Sequence, residues 1–233
     1  MAAAVTPPTR PRAAPRHRDP DRPARPHPDL ATLAVATEVP CAGSSHDGED
    51  FDGIDLSGVD ATDARFLGCV VRNCRADGLQ LTGARLVDCR LSAVAAADAP
   101  WRGGAWQEVE LAECRFGALT LSAATWTRVA VSGGRIDYAN LRDADLTDVT
   151  FTRCDLRDFD VMGATLTRVR FEDCRMGHLD VTGARMTSVD LSTSELAGIS
   201  GVGGLRGAIV SDGQLAQLGA AFAEHLGIRV LTV

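Results

Sequence analysis

A strict five-residue pattern of apolar positions runs through residues 51–196, in steps of five from Phe51 to Leu196. No insertion or deletion breaks the count over thirty consecutive units. A second apolar set, mostly of small residues, lies two positions before each of these centres, and the other positions are mainly Asp, Arg, Thr, Ser and Gly. An α-helix repeats every ~3.6 residues and a flat strand every ~2, so this pattern predicts a chain that coils with two inward side chains per unit.

Residues twenty positions apart resemble each other, which indicates how many units form one coil. The small inward position on one side of the coil is nearly always alanine: Ala64, Ala84, Gly104, Ala124, Ala144, Ala164 and Ala184. A fifteen-residue period would instead mix Ala64 with Leu79 and Val94. Bulky centres such as Trp106 and Trp126 follow the small residues, so volume is conserved around each coil, as a close-packed core requires. We therefore predict four units per coil and an all-β solenoid with a square cross-section.

The units at residues 139–143 and 144–148 read Ala-Asn-Leu-Arg-Asp and Ala-Asp-Leu-Thr-Asp. This sequence resembles the pentapeptide-repeat protein family, whose units follow the pattern Ala, Asp or Asn, Leu and two variable residues. The resemblance implies the fold of that family, a right-handed quadrilateral β-helix, and we expect it over residues 51–210.

The segments before the repeats differ in composition from the coil. Residues 1–29 consist largely of Pro, Arg and Ala, a composition that cannot bury a core, so we expect a disordered tail. Residues 30–50 are predicted to cap the N-terminal end of the coil. The weakly apolar stretch at residues 30–39 is too short for a secretory signal or a membrane span, so the sequence favours a cytoplasmic protein with no membrane contact.

After the repeats, residues 211–233 change to the period of a helix. Ser211 and Gln214 form the signature of a capping box, and Gly227 ends the helix. One stripe of the helix is apolar: Leu215, Leu218, Phe222 and Leu226. A solenoid leaves a bare sheet edge at its end, so we predict that this helix caps the last coil. The segment also resembles the ending of actinobacterial pentapeptide-repeat proteins, some of which dimerise through this end, and a homodimer through the same stripe is left open.

The sequence contains no pattern typical of a metal, cofactor or catalytic site. Six of the seven cysteines occupy the small inward position, where they are expected to fill the core, and no Cys-x-x-Cys pair is present. The five histidines cluster with none of these cysteines, and His178 lies at an outward position. Neither a phosphate-binding glycine loop nor a nucleophile elbow occurs. We therefore predict a protein that is not an enzyme and holds no cofactor.

The charge is distributed unevenly along the chain. The net charge is −7, but the first 29 residues carry six Arg and three Asp, which leaves 18 Arg against 28 acidic residues in the remainder. An acidic rod repels nucleic acid and attracts basic grooves, so we expect a protein partner and no direct nucleic-acid binding by the rod. The family resemblance implies one candidate, because its best-known branch imitates B-form DNA and binds DNA gyrase, which protects the enzyme from fluoroquinolones or toxins. The alternative is a structural or scaffolding protein with a different partner.

One side of the predicted coil has the clearest excess of acidic residues. When residues spaced twenty positions apart are stacked on one another, this side carries five aspartates and only two basic residues, Arg102 and Arg142. These aspartates are the candidate partner-binding residues: Asp60, Asp63, Asp143, Asp160 and Asp180.

Overall fold

The structure is a computed structural model that describes residues 22–30 and 33–231. It is a right-handed parallel β-helix of about 8 turns with a C-terminal helix, which confirms the solenoid predicted from the repeat, the handedness implied by the family resemblance and the helix predicted after the repeats. The strands are β1 Ala34–Val35, β2 Ser45–Asp47, β3 Glu49–Asp52, β4 Arg65–Leu67, β5 Val70–Arg72, β6 Arg85–Ser92, β7 Ala95–Pro100, β8 Ala105–Ala112, β9 Arg115–Thr120, β10 Thr125–Ser132, β11 Arg135–Asn140, β12 Asp145–Thr152, β13 Asp155–Asp160, β14 Thr165–Glu172, β15 Arg175–Asp180, β16 Arg185–Asp190, β17 Glu195–Leu196, β18 Ile199–Ser200 and β19 Ala208–Ile209. A 3-10 helix, Val202–Leu205, precedes β19, and the α-helix α1, Asp212–His225, follows it.

From β2 to β18, each strand pairs in parallel with the strand twenty residues along the chain, whereas β1 pairs with β3 at fifteen residues and β16 pairs with β19 at nineteen. Trp126 of β10 lies between Trp106 of β8 and Leu146 of β12 in this register. The strands form a 12-stranded and a 7-stranded sheet, which together wrap around the core. The register confirms the predicted period of twenty and hence four units per coil.

Tight corners separate the sides of each coil. In one coil the corner residues Asp143, Asp148 and Arg153 have left-handed backbones, with φ values of 56°, 58° and 52°. Glycine adopts this conformation without strain, and Asp and Asn tolerate it better than most residues, which accounts for the frequency of Asp and Gly at these positions. The fourth corner, near Asp158, lies within the continuous strand β13.

The apolar centres form one continuous core. All thirty are buried except Val71 and Leu196, which are half-buried. Stacking of successive coils places aromatic rings on top of each other, with ring centroids 4.9 Å apart for Trp106 and Trp126. Aromatic pairs in such offset contacts add stability beyond the area that they bury. The predicted interior position of the three tryptophans is confirmed.

The coil begins earlier than the sequence indicated. β2 and β3 pair with β4 and β5, so residues 45–52 already belong to the solenoid and not to a separate cap. His46 is in register with Phe66, is buried and stacks on that ring with centroids 5.2 Å apart. Its ring nitrogens lie 2.9 Å from Ser44 Oγ and 2.9 Å from Glu49 Oε2, so a polar ring is accommodated at an inward position.

The N-terminal strap, residues 22–30, lies in an extended conformation along one side of the rod. Its backbone makes hydrogen bonds to the side chains of Asp148 and Glu108. This placement differs from the disorder expected for residues 1–29, of which residues 1–21 lie outside the described residues. A core is not needed to order the strap, since it binds to a surface that is already rigid.

At the C-terminal end the predicted helix is confirmed as α1. Ser211 is its N-cap, and the capping box with Gln214 is complete. Gln214 is buried and its Nε2 also donates to the backbone oxygens of Leu191 and Ser194, each at 2.7 Å. The same side chain therefore caps the helix and the last coil. In the described part of the chain, neither the length nor the apolar character of this or any other helix suffices to cross a membrane.

Candidate protein-binding faces

The candidate aspartates lie on one side of the rod, which we call the aspartate face; its buried centres include Leu141 and Val161. Asp60, Asp63 and Asp143 are exposed there. Asp63 and Asp143 are corner residues whose carboxylates lie over Gly83 and Gly163 of the following coil, where a Cβ atom would overlap them. Glycine in the next coil thus makes room for each carboxylate to extend along the surface.

Asp160 is not available to a partner. It is only 4% exposed, and its Oδ2 lies 2.6 Å from Nε of Arg142, which belongs to the turn after β11. Its Oδ1 accepts a hydrogen bond from the backbone N–H of Met162 at 3.0 Å. Since both carboxylate oxygens are bound within the chain, the choice of Asp160 as a contact residue is wrong.

Two other aspartates of this face are held in place by threonine. Hydrogen bonds from Thr62, whose N–H lies 3.0 Å from Oδ1, lower the pKa of Asp60. Burial acts to raise the pKa of the half-buried Asp180, but hydrogen bonds from Thr182 and smaller contributions outweigh it, and the pKa is lowered overall. Both carboxylates are therefore charged at neutral pH.

The acidic stripe is interrupted. Asp63 and Asp143 are eighty residues apart, which is four coils, or about 19 Å at the strand spacing of ~4.8 Å. The outward positions between them are uncharged at Gln80, Pro100 and Thr120. The acidic excess predicted for the aspartate face is therefore divided into two separate acidic patches.

Arginines neutralise many acidic residues on the other sides. Arg168 binds Asp148 with both Nε and Nη2, at 2.7 and 2.9 Å. Arg128 binds Glu108 at the equivalent position two coils earlier in the rod. Similar ion pairs join Arg90 to Glu110, Arg135 to Asp137 and Arg170 to Asp190. The surface is therefore mixed in charge, and its acidic excess is concentrated where an aspartate such as Asp143 has no arginine opposite it in the next coil.

The inward cysteines are buried and unpaired, and the one exposed cysteine is Cys41. Four of the inward thiols donate to backbone oxygens of the preceding coil, as Cys74 does to Phe51 at 3.3 Å. Burial raises the pKa of Cys114 to about 11, so this thiol is protonated at neutral pH. A protonated thiol of this kind is a poor nucleophile and a poor metal ligand.

The apolar stripe of α1 divides between two environments. Leu218 is buried and Phe222 is half-buried against the core, which is the role of a cap. Leu215 and Leu226 are instead 53% and 69% exposed. The apolar residues Ile228 and Val230 beyond the helix are exposed as well. The end of the rod therefore has an apolar outer surface that the described residues leave uncovered.

Comparison with known families identifies the class of protein. The family model described as pentapeptide repeat region matches residues 105–180 and 124–200, and a second, described as pentapeptide repeats (8 copies), matches residues 50–92. This chain belongs to the pentapeptide-repeat family.

Two solved structures are similar to this chain. Full-length QnrB1, described as a plasmid-mediated fluoroquinolone resistance protein, is 22% identical, with a TM-score of 0.35 and coverage of 84% of this chain and 99% of the other. HetL, described as a pentapeptide-repeat protein involved in heterocyst differentiation regulation in the cyanobacterium Nostoc, is 18% identical, with a TM-score of 0.27 and coverage of 72% and 91%. No curated protein sequence matches the chain.

Proposed function

We propose that this protein is a non-enzymatic rod that binds DNA gyrase and modulates it by occupying the enzyme's DNA-binding groove. The observation that carries the proposal is the pair of acidic patches on the aspartate face, at Asp60 and Asp63 and at Asp143. They project from a rigid coil that has 28 acidic residues against 18 Arg from residue 30 onward. A surface of this charge is attracted to a basic groove that normally holds DNA phosphates.

Rigidity supports the same proposal. Each coil is fixed to the next by backbone hydrogen bonds, for example from Asp143 N to Met162 O at 3.0 Å and from Ala123 N to Arg142 O at 2.9 Å. The carboxylates are therefore held at set distances along the rod and lose little conformational entropy when a partner binds. The lowered pKa of Asp60 keeps its charge over the physiological pH range.

The proposal predicts inhibition of DNA supercoiling by gyrase from the same organism at low micromolar concentrations of the purified rod. Asp63→Arg combined with Asp143→Arg should raise the half-inhibitory concentration at least about tenfold, since the charge of the first patch is neutralised and that of the second is reversed. Raising the salt concentration should weaken inhibition by the unmodified protein, because exposed charges are screened. The matched control is Asp173→Arg, an exposed corner residue with φ of 52° on the diagonally opposite corner, which should inhibit like the unmodified protein.

Two results would contradict the proposal. Equal loss of inhibition in the Asp173 control and in the double variant would show that net charge, and not the aspartate face, determines the effect. No inhibition at saturating protein would exclude gyrase as the partner and leave the scaffolding role, whose partner must then be found by other means.

We further propose that two copies of the rod associate through their C-terminal ends. The supporting observation is the uncovered apolar surface of Leu215, Leu226 and Ile228, each more than half exposed. The unmodified protein should sediment as a dimer, and Leu215→Asp with Leu226→Asp should sediment as a folded monomer, because a buried charge without a partner is costly. Gln217→Asp, an exposed change on the same helix, should remain a dimer. A monomeric unmodified protein at high concentration would refute the dimer.

A further inference from the structure

The N-terminal strap runs lengthwise along a corner that borders the side of the rod opposite the aspartate face. We call this side the strap face; its buried centres include Val131 and Phe151. In the strap, Ala24 is 5% exposed and Pro26 is buried, while Arg22 and Arg25 point to solvent. The strap therefore presents a proline side to the rod and an arginine side to the solvent.

The strap repeats a three-residue unit. Residues 22–24 read Arg-Pro-Ala and residues 25–27 read Arg-Pro-His. The residue after each proline donates its backbone N–H to a corner carboxylate: Ala24 N to Asp148 Oδ1 at 3.0 Å, and His27 N to Glu108 Oε2 at 3.0 Å. Both hydrogen bonds use the backbone, so the side chain at the third position takes no part in them.

The spacing of the two contacts matches the geometry of a proline-rich chain. A polyproline II helix has three residues per turn and advances about 9.3 Å per turn. Asp148 and Glu108 are forty residues apart, which is two coils, or about 9.6 Å at the strand spacing of ~4.8 Å. One turn of the strap thus has about the same length as two coils of the rod. Each three-residue unit of the strap can therefore meet an equivalent corner residue of the rod.

The surface under the strap is shaped for such a chain. Arg168 and Arg128 hold the two carboxylates in place, so each acceptor is fixed before the strap arrives. A groove of about 540 Å³ lies beside the strap. Small side chains line part of it, at Ala112, Ala130, Ser132, Thr150 and Thr152, and the longer side chains of Glu110, Arg153 and Glu172 line the rest together with the strap. Further along, the backbone oxygen of Asp29 would lie 3.4 Å from a Cβ at Gly68, two coils before Glu108 in the same column, so the strap backbone passes close to the rod there.

We propose that the strap face is a binding groove for proline-rich segments of a partner protein, with proline at every third position and a free N–H after each proline. The strap is the resident occupant of this groove and competes with the partner. The strap contacts the groove through backbone N–H groups, proline rings and an alanine. Another proline-rich segment can supply the same groups, so the groove is not restricted to binding the strap. A tethered occupant acts at a high effective concentration, so a free segment binds tightly only when the strap is displaced.

The test uses the full chain and a labelled peptide with the sequence of residues 22–30, with binding followed by fluorescence anisotropy. Ala24→Pro combined with His27→Pro removes both N–H donors from the strap and keeps its extended conformation. This variant should bind the peptide at least about tenfold more tightly than the unmodified chain, because its groove is vacated. Ala24→Ser with His27→Ala, which retains both N–H groups, is the matched control and should behave like the unmodified chain.

Two further measurements separate the groove from non-specific binding. A peptide with proline in place of Ala24 and His27 should fail to bind the strap variant. Adding Ala130→Arg to the strap variant places a long side chain on the groove floor and should abolish binding of the normal peptide. The proposal is overturned if the unmodified chain and the strap variant bind the peptide equally, or if the proline-substituted peptide binds as well as the normal one.

Discussion

Replacing Phe151 with alanine is expected to lower the free energy of unfolding by about 3 to 5 kcal/mol, the range for removing a large aromatic side chain from a packed core. Phe151 is 1% exposed and stacks on Phe171 with ring centroids 4.8 Å apart and an interplanar angle of 4°. It also meets Phe159 edge-on at 5.4 Å and Trp126 at 6.4 Å. The coils above and below are held by backbone hydrogen bonds, so they cannot close the cavity. Denaturant unfolding followed by tryptophan fluorescence measures the loss.

Thr152→Ala is the matched control for this prediction. Thr152 is the next residue of β12, but its side chain lies on the outer surface, where its hydroxyl is 3.5 Å from Glu172 Oε2. We expect a change within about 0.5 kcal/mol, as for most surface substitutions. A loss of less than about 1 kcal/mol for Phe151→Ala would show that the aromatic stack contributes little, and that the regular backbone pairing alone stabilises the coil.

The repeat region could be predicted from the sequence because its register depends on a count. Every residue of a parallel coil lies against the residue twenty positions away, so Trp106, Trp126 and Leu146 share one environment and resemble each other in bulk. The corners follow from the same count, since Asp143 and Gly163 recur at positions that require a left-handed backbone. No long-range pairing had to be guessed.

The ends could not be predicted in the same way. His46 occupies an inward position but is polar, so the five-residue pattern of apolar centres missed the coil to which it belongs. A terminal coil is covered on one side only, which leaves room for Ser44 and Glu49 to satisfy its ring. The sequence also predicted the helix boundaries, at Ser211 and Gly227, but not which of its leucines faces the core. That choice depends on how the helix turns after the 3-10 segment.

For the binding faces, the sequence predicted which side of the rod each residue lies on, but not how exposed its side chain is. A column shows that Asp160 and Asp180 lie on one side, but the exposure of each depends on neighbours in adjacent coils, such as the Arg142 side chain that covers Asp160. The sequence predicted disorder for the strap because its composition cannot form a hydrophobic core, and that argument does not consider binding to the surface of the rod. The signal that would have found it is the repeated Arg-Pro-x unit of residues 22–27, whose three-residue period matches two coils.

Replacing Gln214 with alanine should undock the C-terminal helix from the rod. Nε2 donates to Leu191 O and Ser194 O, and Oε1 accepts from Ser211 N at 2.8 Å, so one side chain satisfies three backbone groups. Leaving these groups without partners in a buried position should cost about 2 to 4 kcal/mol. Once the helix is released, the edge of the last coil at β16 and β19 is exposed, and bare sheet edges promote association. Hydrogen exchange of α1 measures the release, and light scattering measures the association.

Two variants distinguish this mechanism from a general loss of helix stability. Gln217→Ala, at an exposed position of the same helix, should change neither measurement. Gln214→Glu keeps the acceptor for Ser211 N but places a carboxylate against two backbone oxygens, so the capping box survives while contact with the last coil is lost. We therefore expect Gln214→Glu to release the helix at least as fully as Gln214→Ala. If Gln214→Glu instead retained full protection from exchange, the capping box alone would hold the helix, and the bonds to Leu191 and Ser194 would not anchor it to the rod.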